Sequence, residues 1–578
     1  MFSKVIAFIM SLIMSVTGLA SGSISSVFDT LMAAIYGVPI TNEAVNAEFF
    51  GEIDDSDVVE INEETGFLKD KLVLFLDGEL TFREKIVFFA ECGGVLAGWC
   101  TPIDLYVIRY AADSYDDMLE KCEQLDAMPE VALAMPAFTS RVAPQATPDD
   151  PFRSDNDADM GAVDTEPTVI WNENDPEGNN WWLEAIDVRQ AWDYAEYYNP
   201  VKTGVLDAGF DTEHPELAGK ISFPSSKAER RNFPDDHGTH VAGIIAAESN
   251  NGVGLAGICS HADLICVDWM PDLLQFWSTE LAIFFGFYDI VKAGAKAINL
   301  SLGISASCYD DKAGFIYDTL VPKAASLMMA ALLDKGYDFL VVQAAGNGNY
   351  YGDPINVDQN GHFCGITEDN VYTGFYGVSD DDILNRIVRV ASAGGYNGNN
   401  EYYISSFSNA GETIDIAAPG EDVYSSIYYY DYSLMSGTSM AAPVVTGVAS
   451  LVWSVNPSLT GAQVKEILCT SYDSRVKSLD GFSYKYDLGE IDYPMVNAAL
   501  SVEEALRRSR NDMGKIAGVI ENPSDKLKVG DTEITVLPDG SFSYMAPAGD
   551  YTLTVTDSDG ITVSETSVTV VAGETVTL

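Results

Sequence analysis

One serine, Ser439, stands where a hydroxyl could attack a carbonyl group. It lies in the sequence Gly-Thr-Ser-Met-Ala-Ala-Pro at 437–443, directly before the apolar run 444–453. This run predicts a buried helix, whose first turn offers unpaired N–H groups and a partial positive charge. Such groups would stabilise an oxyanion. A Ser or Thr is also the usual N-cap of a core helix, and a nucleophile needs a base and an orienting acid.

Two of the five histidines lie in one motif that could supply the base. His237 and His240 belong to His-Gly-Thr-His-Val-Ala-Gly at 237–243, which runs into an apolar stretch. Their spacing would place both rings on one helical face, so a zinc pair is the competing interpretation. The sequence contains neither HExxH nor CxxC, which argues against zinc.

Two segments that predict buried strands lead to polar residues suited to the same chemistry. The run 201–206 is followed by Asp207, whose carboxylate could orient the base. The run 337–342 leads to Ala-Ala-Gly-Asn-Gly, where the amide of Asn347 could donate to an oxyanion. Each residue alone is also an ordinary turn residue beside glycine.

Together the four segments resemble the subtilisin-like serine proteases, with the chain order Asp, His, Asn, Ser. The resemblance implies that Asp207 orients the base, His237 is the general base and Ser439 is the nucleophile. It further implies that Asn347 donates into the oxyanion hole and that His240 is a structural neighbour. No cofactor or metal takes part in this catalysis. A structural calcium ion is left open, because no set of ligands can be assigned.

The resemblance also assigns the surface that binds substrate. Ser301, Leu302 and Gly303 match the family's strand that pairs with an extended peptide, so main-chain hydrogen bonds give affinity and side-chain pockets give specificity. Segment 269–277 begins and ends with tryptophan and occupies the place of a glycine-containing strand that forms the non-prime pockets. Trp269 and Trp277 are expected to narrow these subsites or to pack on a neighbouring helix or domain.

The protease-like region is only part of the 578-residue chain. Residues 1–22 predict a secretory signal peptide. Residues 40–140 predict a β-α-β-β-α-β unit of ferredoxin-like type, in the position of the family's propeptide, with an unrelated α+β domain as the alternative. Residues 141–180 predict an acidic linker. The peptidase domain is expected over 181–510 and a small β-sandwich, which resembles carboxypeptidase regulatory-like modules, over 515–578.

The predicted fold class is therefore α/β: a doubly wound, mostly parallel, subtilisin-like sheet, flanked by the α+β unit and the β-sandwich. The predicted function is a secreted or cell-surface serine endopeptidase, made as a zymogen that processes itself. Its partners would be protein or peptide substrates, with its own propeptide as an intramolecular inhibitor. The alternative is a catalytically silent binding or adhesion protein of the same fold.

Composition restricts the other classes of function. The net charge of −55 would repel nucleic-acid phosphates over much of the surface. After the signal peptide, no further segment predicts a membrane span in the mature form. Eight cysteines are too few for a disulfide scaffold. A disulfide between Cys308 and Cys364 is a hypothesis, with free buried thiols as the alternative.

Overall fold

The computed structural model gives the chain three structural units. The described residues are 45–46, 53, 55–62, 65–77, 80–110, 112–141, 181–225, 236–251, 254–269, 277–303, 316–348, 353–396, 401–478 and 486–578. The predicted signal peptide, nearly all of the predicted acidic linker and Cys308 lie outside these residues.

The N-terminal unit, residues 45–141, is an antiparallel sheet with two helices. Its four longest strands stand side by side in the order β4-β5-β3-β6, with β1 beside β4 and β2 beside β3. Inward-facing residues of these strands are apolar and buried, which gives the unit a core of its own. The elements are β1 Val45–Asn46, β2 Val58–Glu60, β3 Thr65–Leu76, α1 Phe82–Glu91, β4 Val95–Cys100, β5 Leu105–Arg109, α2 Tyr115–Asp126 and β6 Val131–Arg141.

The central unit, residues 181–510, has a ten-stranded sheet in which parallel pairs predominate. Its strands are β7 Val201–Asp207, β8 Ile221–Ser222, β9 Ala262–Asp268, β10 Trp277–Thr279, β11 Ala297–Leu300, β12 Leu340–Ala344, β13 Ile387–Tyr396, β14 Glu401–Ile404, β15 Ile416–Pro419, β16 Val423–Ile427, β17 Asp431–Met435, β18 Arg475–Lys477 and β19 Asp492–Pro494. Within the sheet the order is β19-β18-β14-β13-β12-β11-β7-β9-β8, and β15 pairs with β13. Strands β10, β16 and β17 belong to other sheets.

Helices enclose this sheet, so its central strands are buried. They are α3 Trp181–Glu184, α4 Val188–Trp192, α5 Asp236–Ala246, α6 Glu280–Lys292, α7 Val321–Asp334, α8 Asp380–Leu384, α9 Thr438–Val455, α10 Gly461–Thr470 and α11 Ala498–Ser509. The central strands β11 and β12 are buried along their whole length, as strands covered on both faces must be. The predicted α/β class with a mostly parallel sheet is confirmed.

The C-terminal unit, residues 513–578, consists of two small sheets. One has the order β23-β20-β26 and the other β22-β21-β24-β25. Alternate residues of β21 are buried, as in a strand with one face on a core. The strands are β20 Met513–Val519, β21 Lys526–Val529, β22 Thr532–Ile534, β23 Ser541–Pro547, β24 Gly549–Thr556, β25 Thr562–Val570 and β26 Thr575–Thr577.

The hydrophobic cores extend across the unit boundaries. One cluster joins the N-terminal unit to α6 and α7, and a second joins the helices around α9 to the C-terminal unit. Among the described residues, α9 is long and apolar enough to cross a membrane, yet 94% of that window is buried inside the protein. Its hydrophobicity is therefore that of a core helix.

Strand β10 connects the central unit to the N-terminal sheet. Trp277 to Thr279 pair antiparallel with Arg141 to Thr139 at the end of β6. We expected the tryptophan segment either to narrow the subsites or to pack on a neighbouring helix or domain. Its end, Trp277, pairs with another part of the chain. Trp269 is partly buried and packs on the cluster that includes the N-terminal unit.

The hypothesised disulfide finds no support. Cys364 is a free, buried thiol, and its Sγ lies 3.5 Å from the carbonyl oxygen of Ala344. Burial raises the pKa of this thiol to about 12, so it stays protonated. Six further described cysteines are also free, in agreement with the alternative of unpaired thiols.

Candidate active site

The four predicted catalytic residues occupy strand and helix ends. Asp207 is the last residue of β7, and Asn347 follows the end of β12. His237 is in the first turn of α5 and Ser439 in the first turn of α9. Strands β7 and β12 are parallel to β11, which lies between them, so their carboxyl ends meet at one edge of the sheet. Helices α5 and α9 pack against each other there.

Asp207 and His237 form a partly buried hydrogen bond. The ring Nδ1 lies 2.5 Å from Asp207 Oδ1 and donates to it, since a carboxylate can only accept. Asp207 is 2% exposed, and its Oδ1 also accepts from the N–H of Ala208 at 2.7 Å. The His237 side chain is 31% exposed. Its proton is thus fixed on Nδ1, and Nε2 remains as a base that a substrate can reach.

The glycine after His237 permits this contact. The N–H of Gly238 donates to the carbonyl oxygen of Ala208 at 2.9 Å. A Cβ on Gly238 would lie 2.2 Å from the carbonyl oxygen of Gly209. Any side chain here would push α5 away from the loop after β7, and the imidazole away from Asp207.

The amide of Asn347 is oriented by the start of α9. Its Oδ1 accepts from the N–H of Thr438 at 2.8 Å and from the hydroxyl of Thr438 at 2.9 Å. The oxygen is therefore committed, and Nδ2 faces Gly437. A Cβ on Gly437 would lie 3.3 Å from Asn347 Nδ2 and 3.6 Å from the backbone nitrogen of Ser439. Two donors thus converge on a space that glycine leaves open beside Ser439.

Asn409, a residue for which no role was predicted, holds the loop of Asn347. It is buried, and its Oδ1 accepts from the N–H groups of Gly348 and Ile355 at 3.0 Å each. Its Nδ2 donates to the carbonyl oxygen of Ala345 at 2.8 Å. Asn409 ends the sequence Ser-Ser-Phe-Ser-Asn at 405–409, in which nothing indicates the backbone groups that it binds.

The predicted peptide-binding segment lies beside the serine. The Ser301 hydroxyl donates to the carbonyl oxygen of Ser439 at 2.7 Å, and the carbonyl of Leu302 accepts from Gln343 Nε2 at 3.1 Å. Gly303 is exposed. The segment continues directly from β11, so these hydrogen bonds fix its distance from the start of α9.

The two histidines of the motif do not form a metal pair. His240 is buried, and its Nε2 lies 3.1 Å from the carbonyl oxygen of Ser433, whereas His237 is bound to Asp207. Burial lowers the pKa of His240 to about 3, so its ring stays neutral. Within the described ranges, no group of three or more His, Cys, Asp or Glu could hold a metal ion.

The carboxylate of Glu216 is enclosed and accepts three hydrogen bonds. Its Oε1 accepts from the N–H of Leu255 at 3.1 Å and the hydroxyl of Tyr432 at 3.0 Å, and its Oε2 accepts from Asn251 Nδ2 at 2.8 Å. These hydrogen bonds hold the carboxylate against Asn251 and Leu255, which follow α5 in the chain.

Comparisons with known proteins agree with this geometry. The family model described as "Subtilase family" matches residues 199–489. Thermitase from Thermoactinomyces vulgaris is 32% identical over 286 residues, which are 49% of this chain and 85% of thermitase. Subtilisin E from Bacillus subtilis (strain 168) is 30% identical over 273 residues, or 46% of this chain, and the match spans 59% of subtilisin E.

A solved structure resembles the chain over most of its length. Fervidolysin from Fervidobacterium pennivorans, a keratinolytic enzyme related to subtilisin, aligns with a TM-score of 0.51 and 17% identity. The alignment covers 93% of this chain and 82% of fervidolysin. At this identity the likeness is one of fold.

Proposed function

The chain belongs to the subtilase family of serine peptidases, and from this premise we propose that it is a secreted serine endopeptidase acting through an acyl-enzyme. The observation that carries the proposal is the convergence of two donors, Asn347 Nδ2 and the Ser439 N–H, on the open space at Gly437. An oxyanion held there would be stabilised by preorganised dipoles. Substrates would be proteins or peptides bound in extended form along Ser301 to Gly303.

The proposed reaction uses no group beyond these side chains and water. The Ser439 hydroxyl attacks the peptide carbonyl while His237 Nε2 accepts its proton, and Asp207 stabilises the imidazolium. The tetrahedral oxyanion accepts hydrogen bonds from the two donors. Collapse breaks the C–N bond, His237 gives its proton to the leaving amine, and an ester to Ser439 remains. Water, activated by His237, then hydrolyses the ester and restores the serine.

We further propose that the N-terminal unit is a propeptide that inhibits the enzyme until it is cut off. The pairing of β6 with β10 supports this, because it places the end of β6 on the central unit next to the predicted non-prime segment. The chain then enters the predicted acidic linker 141–180, a suitable place for processing. Secretion is supported by the composition of residues 1–22.

Replacement of the nucleophile tests the proposal. The Ser439→Ala precursor is expected to remain uncleaved between residues 141 and 180, while the unchanged chain processes itself there. A fluorophosphonate should label the unchanged chain but not the variant, and a chelator should not prevent labelling. The products are measured by intact mass.

Ser436→Ala is the matched control, three residues before the nucleophile. Its hydroxyl accepts from the N–H of Asp422 and lies outside the proposed machinery. This control should process normally. Normal processing of Ser439→Ala would overturn the mechanism, and with it the choice of an enzyme over a silent binding protein.

A further inference from the structure

The proposed reaction fixes where one substrate side chain must go. The carbonyl under attack is held at the donors beside Gly437, and the substrate backbone runs along Ser301 to Gly303. The residue on the acyl side of the scissile bond, called here the acyl-side residue, carries the attacked carbonyl and is part of the bound substrate backbone. Its side chain would therefore enter the space between Gly303 and the loop at Gly346, which follow the neighbouring parallel strands β11 and β12.

Asn360 already occupies the base of that space. A Cβ on Gly303 would lie 2.1 Å from Asn360 Oδ1, and a Cβ on Gly346 would lie 2.6 Å from the same atom. One carboxamide is thus in contact with both glycines, which belong to opposite walls. Asn360 is 2% exposed, so it lies at the bottom of the space and not at its rim.

Hydrogen bonds hold both the side chain of Asn360 and the short helix that it ends. It ends a 3-10 helix, Val357–Asn360, which is capped by Asn356 Oδ1 accepting from Asp358 N–H at 3.0 Å. Its Nδ2 donates to the carbonyl oxygen of Ala344, the last residue of β12, at 2.8 Å. The N–H of Val357 donates to the carbonyl oxygen of Ala410 at 2.9 Å.

The chain beyond Asn360 is anchored too. The N–H groups of Phe363 and Cys364 both donate to Gln343 Oε1 at 3.0 Å, and the same side chain holds the carbonyl of Leu302. Gln343 therefore links the chain that follows Asn360 to the segment that contains Gly303. A substrate that displaced the Asn360 side chain would have to break its hydrogen bond to Ala344.

We propose that Asn360 makes the peptidase selective for a short acyl-side residue, Ala or Ser, against Phe and Leu. This inference rests on the proposed function and concerns the substrate class of the same site. Oδ1 is the Asn360 atom nearest to both wall glycines, and an amide oxygen is an acceptor. A serine hydroxyl can donate to it. An aromatic ring is disfavoured, because the Asn360 carboxamide already occupies the depth beside Gly303 that the ring would need.

Peptide substrates that differ only in the acyl-side residue test the inference. For the self-processed enzyme, kcat/KM should be at least about tenfold higher with Ala or Ser than with Phe, the size of discrimination that pocket depth supplies. Asn360→Ala removes the carboxamide and should raise the Phe/Ala ratio of kcat/KM by about tenfold or more. Steady-state hydrolysis of the peptide pairs gives both ratios.

Asn370→Ala is the matched control in the same region. Asn370 Nδ2 also donates to a backbone carbonyl, that of Gly365 at 2.7 Å, but neither wall glycine contacts it. This variant should leave the ratio unchanged. A preference for Phe in the unchanged enzyme, or an unaltered ratio in folded Asn360→Ala, would overturn the inference.

Two further outcomes are also decisive. If Asn360→Ala does not fold, the preference of the unchanged enzyme alone decides. Labelling of Ser439 by fluorophosphonate separates the two proposals. An enzyme that is labelled and prefers Phe refutes only the role of Asn360, whereas absence of labelling refutes the peptidase mechanism and this inference together.

Discussion

At the scale of single residues, Thr438 decides whether Asn347 can serve as an oxyanion donor. An amide has one oxygen and one nitrogen, and only the nitrogen donates. Thr438 offers two donors to Oδ1, and its hydroxyl also accepts from the N–H of Gly346 at 3.0 Å. The left-handed φ of 95° at Gly346 favours glycine at this turn. The nucleophile's neighbour is therefore a positioning residue.

Thr438→Val, which preserves shape but removes the hydroxyl, tests this role. We expect kcat to fall about tenfold with KM unchanged, because the oxyanion exists only after attack. Asn347→Ala should lower kcat by about 10²–10³-fold, a magnitude measured for a donor of this kind in subtilisin. The double variant should be no worse than Asn347→Ala alone, since Thr438 acts through Asn347. Multiplicative losses would contradict the argument.

Not every residue that shapes the site could be predicted from the sequence. The motifs around Asp207, His237 and Ser439 predict element ends, because strand periodicity and small-residue patterns are local properties. Asn360 and Asn409 belong to no such pattern. Each acts on backbone groups of strands or loops that are distant in the chain, so only the tertiary fold shows what they contact.

At the scale of elements, β10 differs most from what its sequence indicates. Trp277 begins a strand of three residues, too short to show alternation, and its partner at Arg141 lies far earlier in the chain. Pairing of this kind follows from docking of the two units, not from local propensity. The α/β order of the central sheet was predictable because buried strands such as β12 are largely apolar, with Gln343 as its one polar residue.

A second contact between these units is a buried polar network. Asp104 Oδ2 accepts from the hydroxyl of Tyr376 at 3.0 Å, across the boundary between the units. Asp104 Oδ1 accepts from Lys85 Nζ at 2.5 Å, and both residues of this ion pair are buried. Burial and the nearby Asp104 carboxylate raise the pKa of Tyr376, so its hydroxyl stays protonated and can donate.

Tyr376→Phe should therefore weaken docking of the N-terminal unit. Loss of a hydrogen bond to a charged group costs about 1.5–3 kcal/mol. In the Ser439→Ala precursor, we expect the opening free energy of amides in β6 and β10 to fall by this amount, as measured by hydrogen exchange.

Tyr372→Phe is the control for this substitution. Its ring faces Lys323 Nζ at 4.5 Å, a contact that phenylalanine retains. Opening free energies should change little in this variant. Equal effects of the two substitutions would mean that the hydrogen bond to Asp104 does not hold the units together.

At the scale of the whole molecule, the C-terminal unit is part of the enzyme's packing. Tyr194 and Tyr544 stack with ring centroids 5.3 Å apart, and the hydroxyl of Tyr194 accepts from the N–H of Met545 at 2.8 Å. Across the same boundary, the N–H of Thr535 donates to Asp193 Oδ2 at 2.7 Å. The sequence suggested an accessory module, because repeated short strands carry no sign of the surface on which they pack.

Glu503 of α11 is the centre of this boundary. Its Oε1 accepts from the hydroxyls of Tyr194 at 3.1 Å and Ser543 at 2.8 Å, and its Oε2 from Lys515 Nζ at 2.7 Å. The carboxylate is buried, so its partners would be left unsatisfied without it. The central and C-terminal units should therefore unfold together, with one free energy of unfolding that depends on Glu503.

Glu503→Ala should lower that free energy by about 3 kcal/mol, the cost of breaking a buried ion pair. Its neighbour Glu504 is the matched control, since it binds Arg507 and Arg508 at the surface, where such pairs contribute less than about 1 kcal/mol. Glu503→Ala is introduced into the inactive Ser439→Ala chain, and urea unfolding is followed by one spectroscopic probe in each unit. The unfolding midpoints of both probes should shift by the same amount. A shift confined to the C-terminal unit would mean that it is a separately folded appendage.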